Sequence, residues 1–128
     1  MNEKILIVED EKKISHLLSI NFMGENYIVE TAFSGEEALK KIDKFNPDLV
    51  LLDVMLPNMS GWDVCRKIKQ NQKHSKTLVI ILTASSQKSD IEKAVMAGAD
   101  GFYIKPFEIE VITKEIAEMF RERESGKK

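Results

Sequence analysis

The chain has 128 residues, is 43% hydrophobic and carries a net charge of −2. A chain of this length forms one domain that buries roughly two-thirds of its unfolded surface, so its core needs no disulfide or structural metal. The balanced charge argues against direct nucleic-acid binding. With no signal peptide and no run of about 18 apolar residues, no membrane association is expected. The single cysteine, Cys65, excludes an internal disulfide, and we expect it to be a small core residue. A chain without disulfides fits a reducing compartment, so we expect a cytoplasmic protein.

The first half of the chain alternates predicted strands with predicted helices. Residues 5–8 are an unbroken apolar run, typical of a strand that is covered on both faces. The next helix carries four apolar side chains at helical spacing, Ile14, Leu17, Leu18 and Phe22. Residues 27–32 are a strand interrupted by polar residues, so we place it at a sheet edge. Ser34 and Glu37 form a capping box for a second helix. The buried stripe of that helix is Ala38, Leu39, Ile42 and Phe45.

The second half continues the same alternation, with apolar runs at residues 49–52, 78–82 and 102–104. A third helix begins near Gly61 and directs Val64 and Ile68 inward. The inward residues of the fourth helix are Ile91, Ala94 and Val95. Those of the fifth are Ile109, Ile112, Ile116, Met119 and Phe120. After Phe120 the apolar period is lost, which indicates a fraying helix end.

Five such strand–helix units, joined by right-handed crossovers, predict an α/β fold. We expect three layers, with a doubly wound, parallel, five-stranded sheet between helices. The flavodoxin-like strand order 2-1-3-4-5 places the first and third strands side by side.

Polar residues stand at or just after the ends of four predicted strands. These residues are Glu9, Asp10, Asp53, Thr83 and Lys105. The carboxyl ends of parallel strands meet at one edge of the sheet, so we expect the five side chains to share a crevice. Three clustered carboxylates are costly unless a cation or a proton neutralises the excess charge, and oxygen ligands without nearby Cys or His favour magnesium. Adjacent acids after a strand also occur simply as a favourable charge cluster at a helix N-terminus.

These residue types suit the handling of a phosphoryl group. Asp53 could act as a carboxylate nucleophile, or it could be only a turn-forming residue. Lys105 could pair with phosphate, or it could be an ordinary surface lysine. Thr83 supplies a hydroxyl donor, and no general base is evident, so positioning and charge neutralisation would carry the reaction. His16 and His74 have no companion at metal spacing, so a zinc site is not expected.

Four motifs stand out along the chain: ILIVEDE at 5–11, PDLVLLDVMLPNMSG at 47–61, VIILTAS at 79–85 and AGADGFYIKPF at 97–107. Together they resemble the receiver (CheY-like) domain of two-component response regulators, over about residues 4–120. We therefore assign residues 1–122 to a receiver domain and residues 123–128 to a polar C-terminal tail.

The resemblance implies roles for individual residues. Asp53 is the phosphoacceptor, and Asp10, Asp53 and the Met55 carbonyl coordinate magnesium, with Glu9 acting mainly through metal-bound water. Thr83 and Lys105 contact the phosphoryl group.

The resemblance also implies a cis peptide bond before Pro106 and a switch aromatic at Phe102. Because residues alternate sides along a strand, Phe102 and Tyr103 should face opposite ways. A charge on Asp53 would draw Thr83 inward, let Phe102 turn, and change the surface formed by the fourth helix and the last strand and helix. A plain core role for Phe102 is the alternative.

The implied phosphoryl donor is a sensor histidine kinase or a phosphotransfer protein. The output is a downstream protein or a fused effector domain, so the chain is either a single-domain regulator or the receiver of a longer protein. Lys114 and Asp100 could join charge pairs in a phosphorylation-dependent homodimer, although exposed pairs are weak evidence. The chain would act as a signalling domain that catalyses only its own phosphorylation and dephosphorylation, not as an enzyme on other substrates.

Three other functions fit less well. A magnesium-dependent phosphatase of the haloacid dehalogenase type uses an aspartate nucleophile, but it needs a second acid two residues later, where Met55 stands. In a flavodoxin-type binder, Glu9 and Asp10 would repel the flavin phosphate. A degenerate, purely scaffolding receiver is disfavoured because all five site residues are present.

Overall fold

The computed structural model describes residues 2–124, which form alternating strands and helices in the predicted order. The strands are β1 (Lys4–Val8), β2 (Ile28–Ala32), β3 (Leu49–Asp53), β4 (Leu78–Thr83) and β5 (Gly101–Ile104). The helices are α1 (Lys12–Gly24), α2 (Gly35–Phe45), α3 (Gly61–Gln70), α4 (Lys88–Met96) and α5 (Ile109–Glu124). A single 3-10 turn, Gln72–His74, precedes β4.

All strand pairs are parallel, and the order is β2-β1-β3-β4-β5. The predicted fold class and the edge position of β2 are therefore confirmed. The order places β1 beside β3, which is the switch point where ligands bind in open α/β sheets.

The core lies in two layers because successive side chains of each strand point to opposite faces. On one face, Leu6 and Val8 of β1 pack with α2, α3 and α4. On the other face, Ile5 and Ile7 pack with α1 and α5. Cys65 is fully buried in the first of these layers, as predicted.

The Ser34 cap at the start of α2 is confirmed, but the Glu37 side chain bonds the amide one residue before the one that a capping box uses. The Glu37 amide donates to the Ser34 hydroxyl at 3.1 Å, and the Phe33 amide donates to the Glu37 carboxylate at 2.8 Å. The first bond satisfies an amide donor of the first turn of α2, and the second ties Phe33, the residue before the cap, to the same turn.

Two predicted core positions are wrong. Leu17 is 53% exposed and Val95 is 68% exposed. Consecutive helical residues point about 100° apart, so a helix that seats Leu18 against the sheet turns Leu17 toward solvent. In the same way α4 packs through Ala94 and leaves Val95 outside.

The last helix continues through Glu124, so residues 123 and 124 of the predicted tail are helical. Residues 125–128 lie outside the described residues, and the boundary at 122 stays a prediction. No helix within residues 2–124 combines the length and the apolar character that crossing a bilayer requires.

Candidate functional site

The sheet register brings the five predicted residues to one edge. Val8 pairs with Leu52, so the acids that follow β1 lie level with Asp53 at the end of β3. Thr83 ends β4, and the Lys105 amide, just after β5, donates to the Thr83 carbonyl at 2.7 Å. Residues separated by up to about a hundred positions in sequence therefore meet because of strand pairing.

Glu9, Asp10 and Asp53 form an acidic cluster. Each offers a carboxylate oxygen, and these three oxygens lie within 4.8 Å of one another. Glu9 is fully buried and Asp53 is 3% exposed, whereas Asp10 faces solvent. Burial, followed by the hydrogen bond and charge of Asp53, raises the pKa of Glu9 to about 7. The cluster therefore crowds negative charge in a buried place, and either a proton on Glu9 or a bound cation relieves it.

Lys105 provides a positive charge inside this cluster. Its Nζ lies 3.1 Å from Asp53 Oδ2 and 3.3 Å from Glu9 Oε1. Burial alone would lower the pKa of Lys105, but the hydrogen bond and charge of Asp53, together with Glu9, raise it overall. The predicted cis bond between Lys105 and Pro106 is present.

The other Asp53 oxygen is held by the loop that follows β3. The Met55 amide donates to Asp53 Oδ1 at 3.1 Å, and the Gly61 amide donates to the Val54 carbonyl at 2.9 Å. A Cβ atom on Gly61 would stand 2.4 Å from the Asp53 carbonyl oxygen, so glycine is needed for this close approach.

Thr83 is 6% exposed, and its hydroxyl oxygen accepts from the Ser85 amide at 3.1 Å. This bond uses the oxygen as an acceptor, so the hydroxyl hydrogen can still be donated to another group.

The acidic cluster opens into a cleft of about 1120 Å³ that also contains Lys105. Its lining also includes Trp62, Arg66 and Lys67 of α3, none of which was predicted as a site residue. The available signal was their position directly after the loop that follows Asp53.

The cluster fits a hard divalent cation. All of its donors are carboxylate oxygens, and Asp10 leaves one side open to the cleft, where bound water could complete the coordination. Met55, whose carbonyl is a predicted ligand, lines the same cleft.

Phe102 and Tyr103 face opposite sides of the sheet, as predicted. Phe102 is half-buried and packs in the layer with α2, α3 and α4, whereas Tyr103 packs in the layer with α1 and α5. The Tyr103 hydroxyl donates to Glu115 of α5.

Known proteins with similar sequences are response regulators. Response regulator ArlR of Staphylococcus saprophyticus is 42% identical over 118 residues, covering 92% of this chain and 52% of that protein. ArlR of Staphylococcus aureus strain Mu50 is 40% identical over 118 residues, which also cover 92% of this chain and 52% of that protein. The chain spans about half the length of these curated relatives.

Solved structures with the same fold are also response regulators. Chemotaxis response regulator CheY4 of Vibrio cholerae superposes with a TM-score of 0.87 at 29% identity, covering 92% of this chain and 98% of that one. Response regulator DrrB of Thermotoga maritima, an OmpR/PhoB homologue, superposes with a TM-score of 0.85 at 37% identity. The match covers 97% of this chain and 54% of that one. The sequence model of the response regulator receiver domain matches residues 5–117. The chain therefore belongs to the response regulator receiver domain family.

Proposed function

We propose that Asp53 accepts a phosphoryl group from the phosphohistidine of a sensor histidine kinase or a phosphotransfer protein, in a magnesium-dependent reaction. The observation that supports this proposal is that the buried Asp53 carboxylate contacts Lys105, at 3.1 Å, and lies beside Glu9 and Asp10. Membership of the receiver domain family implies a histidine kinase partner. That the phosphoryl group passes from such a kinase or from a phosphotransfer protein to Asp53 is our proposal.

In the proposed reaction an Asp53 carboxylate oxygen attacks phosphorus, the phosphorus–nitrogen bond breaks, and the histidine leaves. Lys105 pairs with a phosphoryl oxygen, and the Thr83 hydroxyl and backbone amides of the loop donate to the others. Asp10, Asp53 and the Met55 carbonyl would hold magnesium, with Glu9 acting through water. A bound magnesium ion would neutralise the excess charge of the carboxylates and the phosphoryl group.

The phosphoryl group would then act on the surface formed by α4, β5 and α5. Thr83 moves toward the phosphate, and Phe102, at the level of Ile81 on the neighbouring strand, turns into the space that is vacated. Identical amide NMR shifts for residues 88–97 and Phe102, with and without phosphorylation, would disprove this switch.

The wider setting follows from the receiver assignment. Residues 1–122 would form the receiver domain of a cytoplasmic signalling protein that catalyses only its own phosphorylation and dephosphorylation, without binding nucleic acid directly. The output would be a downstream protein or a fused effector domain, since the OmpR/PhoB homologue is about twice as long as the part that matches.

A phosphorylation-dependent homodimer is a further part of the proposal. Asp100 already accepts from Lys69 Nζ at 3.0 Å and from the Val79 amide at 2.8 Å. A dimer that uses Asp100 would therefore share this carboxylate with Lys69. Light scattering over a concentration series, with a phosphoryl mimic bound, tests the dimer, because an unchanged mass at every concentration would exclude it.

Intact-mass spectrometry after treatment with magnesium and acetyl phosphate tests the central assignment. Wild type should gain one phosphoryl group, and Asp53→Asn should gain none. Asp43→Asn is a matched control because Asp43 pairs with His74, at 2.8 Å, near the opposite end of the sheet. A phosphoryl adduct on Asp53→Asn would overturn the assignment.

Nothing favours the haloacid dehalogenase alternative. Met55 occupies the position where such a phosphatase needs its second acid, and the family match is to receiver domains. Turnover of a small phosphomonoester would contradict this view.

A further inference from the structure

Met55 is an exposed methionine in the cleft that contains the acidic cluster. It is 72% exposed, although Asp53, two residues earlier, is buried. The Met55 amide donates to Asp53 Oδ1 at 3.1 Å, and four bonds separate that nitrogen from the thioether sulfur, so the sulfur stays within about 8 Å of the carboxylate. An exposed thioether is accessible to oxidants in solution, which convert it into a polar sulfoxide.

The other methionines within residues 2–124 differ from Met55 in exposure or in place. Met59 also lines the cleft, but it is half-buried and packs in the layer with α2, α3 and α4. Met119 of α5 is half-buried in the other layer. Met23 of α1 and Met96 at the end of α4 are exposed, but neither lines the cleft. Among the described methionines, Met55 therefore combines exposure with a place in the cleft.

We propose that oxidation of Met55 by a peroxide shortens the lifetime of the phosphoryl group on Asp53. This inference rests on the proposed function, because it concerns the phosphorylated state of the chain. In the oxidation, the sulfur lone pair attacks one peroxide oxygen and the oxygen–oxygen bond breaks. The attacked oxygen stays on sulfur as the sulfoxide, and the other leaves as water with both protons. Sulfur thus loses two electrons and the peroxide gains them.

The sulfoxide changes how the cleft interacts with water. A thioether sulfur is a weak hydrogen-bond acceptor, whereas a sulfoxide is polar and its oxygen accepts hydrogen bonds. Hydrolysis of an aspartyl phosphate requires a water molecule that attacks phosphorus, and the sulfoxide of Met55 would hold water in the cleft where that attack takes place. One hydrogen bond of ordinary net strength changes a rate about twofold to tenfold, so we expect the lifetime to fall by about that factor.

The test compares the phosphoryl lifetime of the full chain before and after oxidation. The chain is treated with hydrogen peroxide, the peroxide is removed, and peptide mass mapping identifies the methionines that carry an added oxygen. Reduced and oxidised samples are then phosphorylated with magnesium and acetyl phosphate. The donor is removed by desalting, and intact-mass spectrometry follows the loss of the phosphoryl group. Oxidised wild type should lose this group about twofold to tenfold faster than reduced wild type.

Variants assign the effect to one sulfur atom. The ratio of oxidised to reduced lifetime is taken within each variant, so any effect of the substitution itself cancels. Met96→Leu removes a sulfur that is 84% exposed outside the cleft, so it should show the same shortening as wild type, whereas Met55→Leu should show none. Met55→Gln places a carbonyl acceptor on a side chain of similar length. Without peroxide, it should therefore lose the phosphoryl group about twofold to tenfold faster than Met55→Leu does.

Any of the following results would overturn the inference: Met55 stays reduced while Met96 is oxidised, the lifetime after oxidation is unchanged or longer, Met55→Leu shows the same shortening as wild type, or Met55→Gln and Met55→Leu have equal lifetimes. Phosphoryl uptake by the reduced chain separates these results from a failure of the proposed function. Normal uptake without an effect of oxidation rejects this inference alone, whereas no uptake by the reduced chain rejects both.

Discussion

Replacing Gly61 by alanine should damage both the stability of the chain and the position of Asp53. A Cβ atom at residue 61 would stand 2.4 Å from the Asp53 carbonyl oxygen and 2.7 Å from the Val54 Cα atom. Non-bonded atoms of this kind normally keep about 3.5 Å apart, so the loop must move by about 1 Å. Both neighbours are backbone atoms, which cannot rotate away as a flexible side chain would.

The cost follows from that displacement. Overpacking a rigid site costs about 1–3 kcal/mol, which for a domain of this size lowers the Tm by about 5–10 °C. The same shift moves Asp53 relative to Lys105, now 3.1 Å away. A misplacement of about 1 Å can reduce a positioned reaction about 100-fold, so phosphoryl uptake from acetyl phosphate should fall by one to two orders of magnitude.

Urea unfolding and the rate of appearance of the phosphorylated mass are the two measurements. Gly24→Ala is the matched control, because a Cβ atom there meets nothing within 4 Å. Alanine at that helical position should raise the unfolding free energy by up to about 1 kcal/mol and leave phosphorylation unchanged. If Gly61→Ala matched wild type in both measurements, the argument from close backbone approach would be refuted.

Three more predictions follow from burial and charge. In magnesium-free buffer, Asp53→Asn should lower the pKa of Glu9 from about 7, because the charge of Asp53 contributes to raising it; an unchanged Glu9 titration, followed by NMR of its carboxyl carbon, would contradict this. The hydrogen bond from the Phe33 amide lowers the pKa of Glu37 from 4.5, so this carboxylate stabilises the fold above pH 4.5 and loses that effect as pH falls below it. The stability difference between wild type and Glu37→Gln, measured by urea unfolding across pH, should therefore shrink in acid, and a difference independent of pH would count against the cap. Burial raises the pKa of Cys65 to about 11, so about one thiol in a thousand is ionised at pH 8; a disulfide reagent should label it only after denaturation, and rapid labelling of the native chain would show that the thiol is accessible.

Most of the fold was predictable because its signals are local. The unbroken apolar runs identified the central strands, and the polar interruption in residues 27–32 placed β2 at the edge. Apolar spacing predicts Leu17 and Val95 in the core, and both predictions are wrong. The spacing fixes the rotation of a helix about its axis only to within roughly one residue. The neighbours that each helix meets decide that rotation, and these are set by tertiary packing.

The candidate site was predictable as a set of residues but not as a geometry. Acids, a hydroxyl and a lysine at strand ends indicated the set, and the strand order made them neighbours. The 3.1 Å approach of Lys105 to Asp53, the burial of Glu9 and the need for Gly61 depend on strand register and loop packing.

The sequence by itself determined the order of strands and helices, the layered architecture and the residue types at the sheet edge. Apolar periodicity and the polar residues at strand ends are patterns among neighbouring residues, so they can be identified without the structure. The tertiary structure decided which helix faces are buried, how near the charges stand and where cavities open. Those properties arise from contacts between segments that are remote in sequence, and their energies depend on distance and burial, which no local pattern specifies.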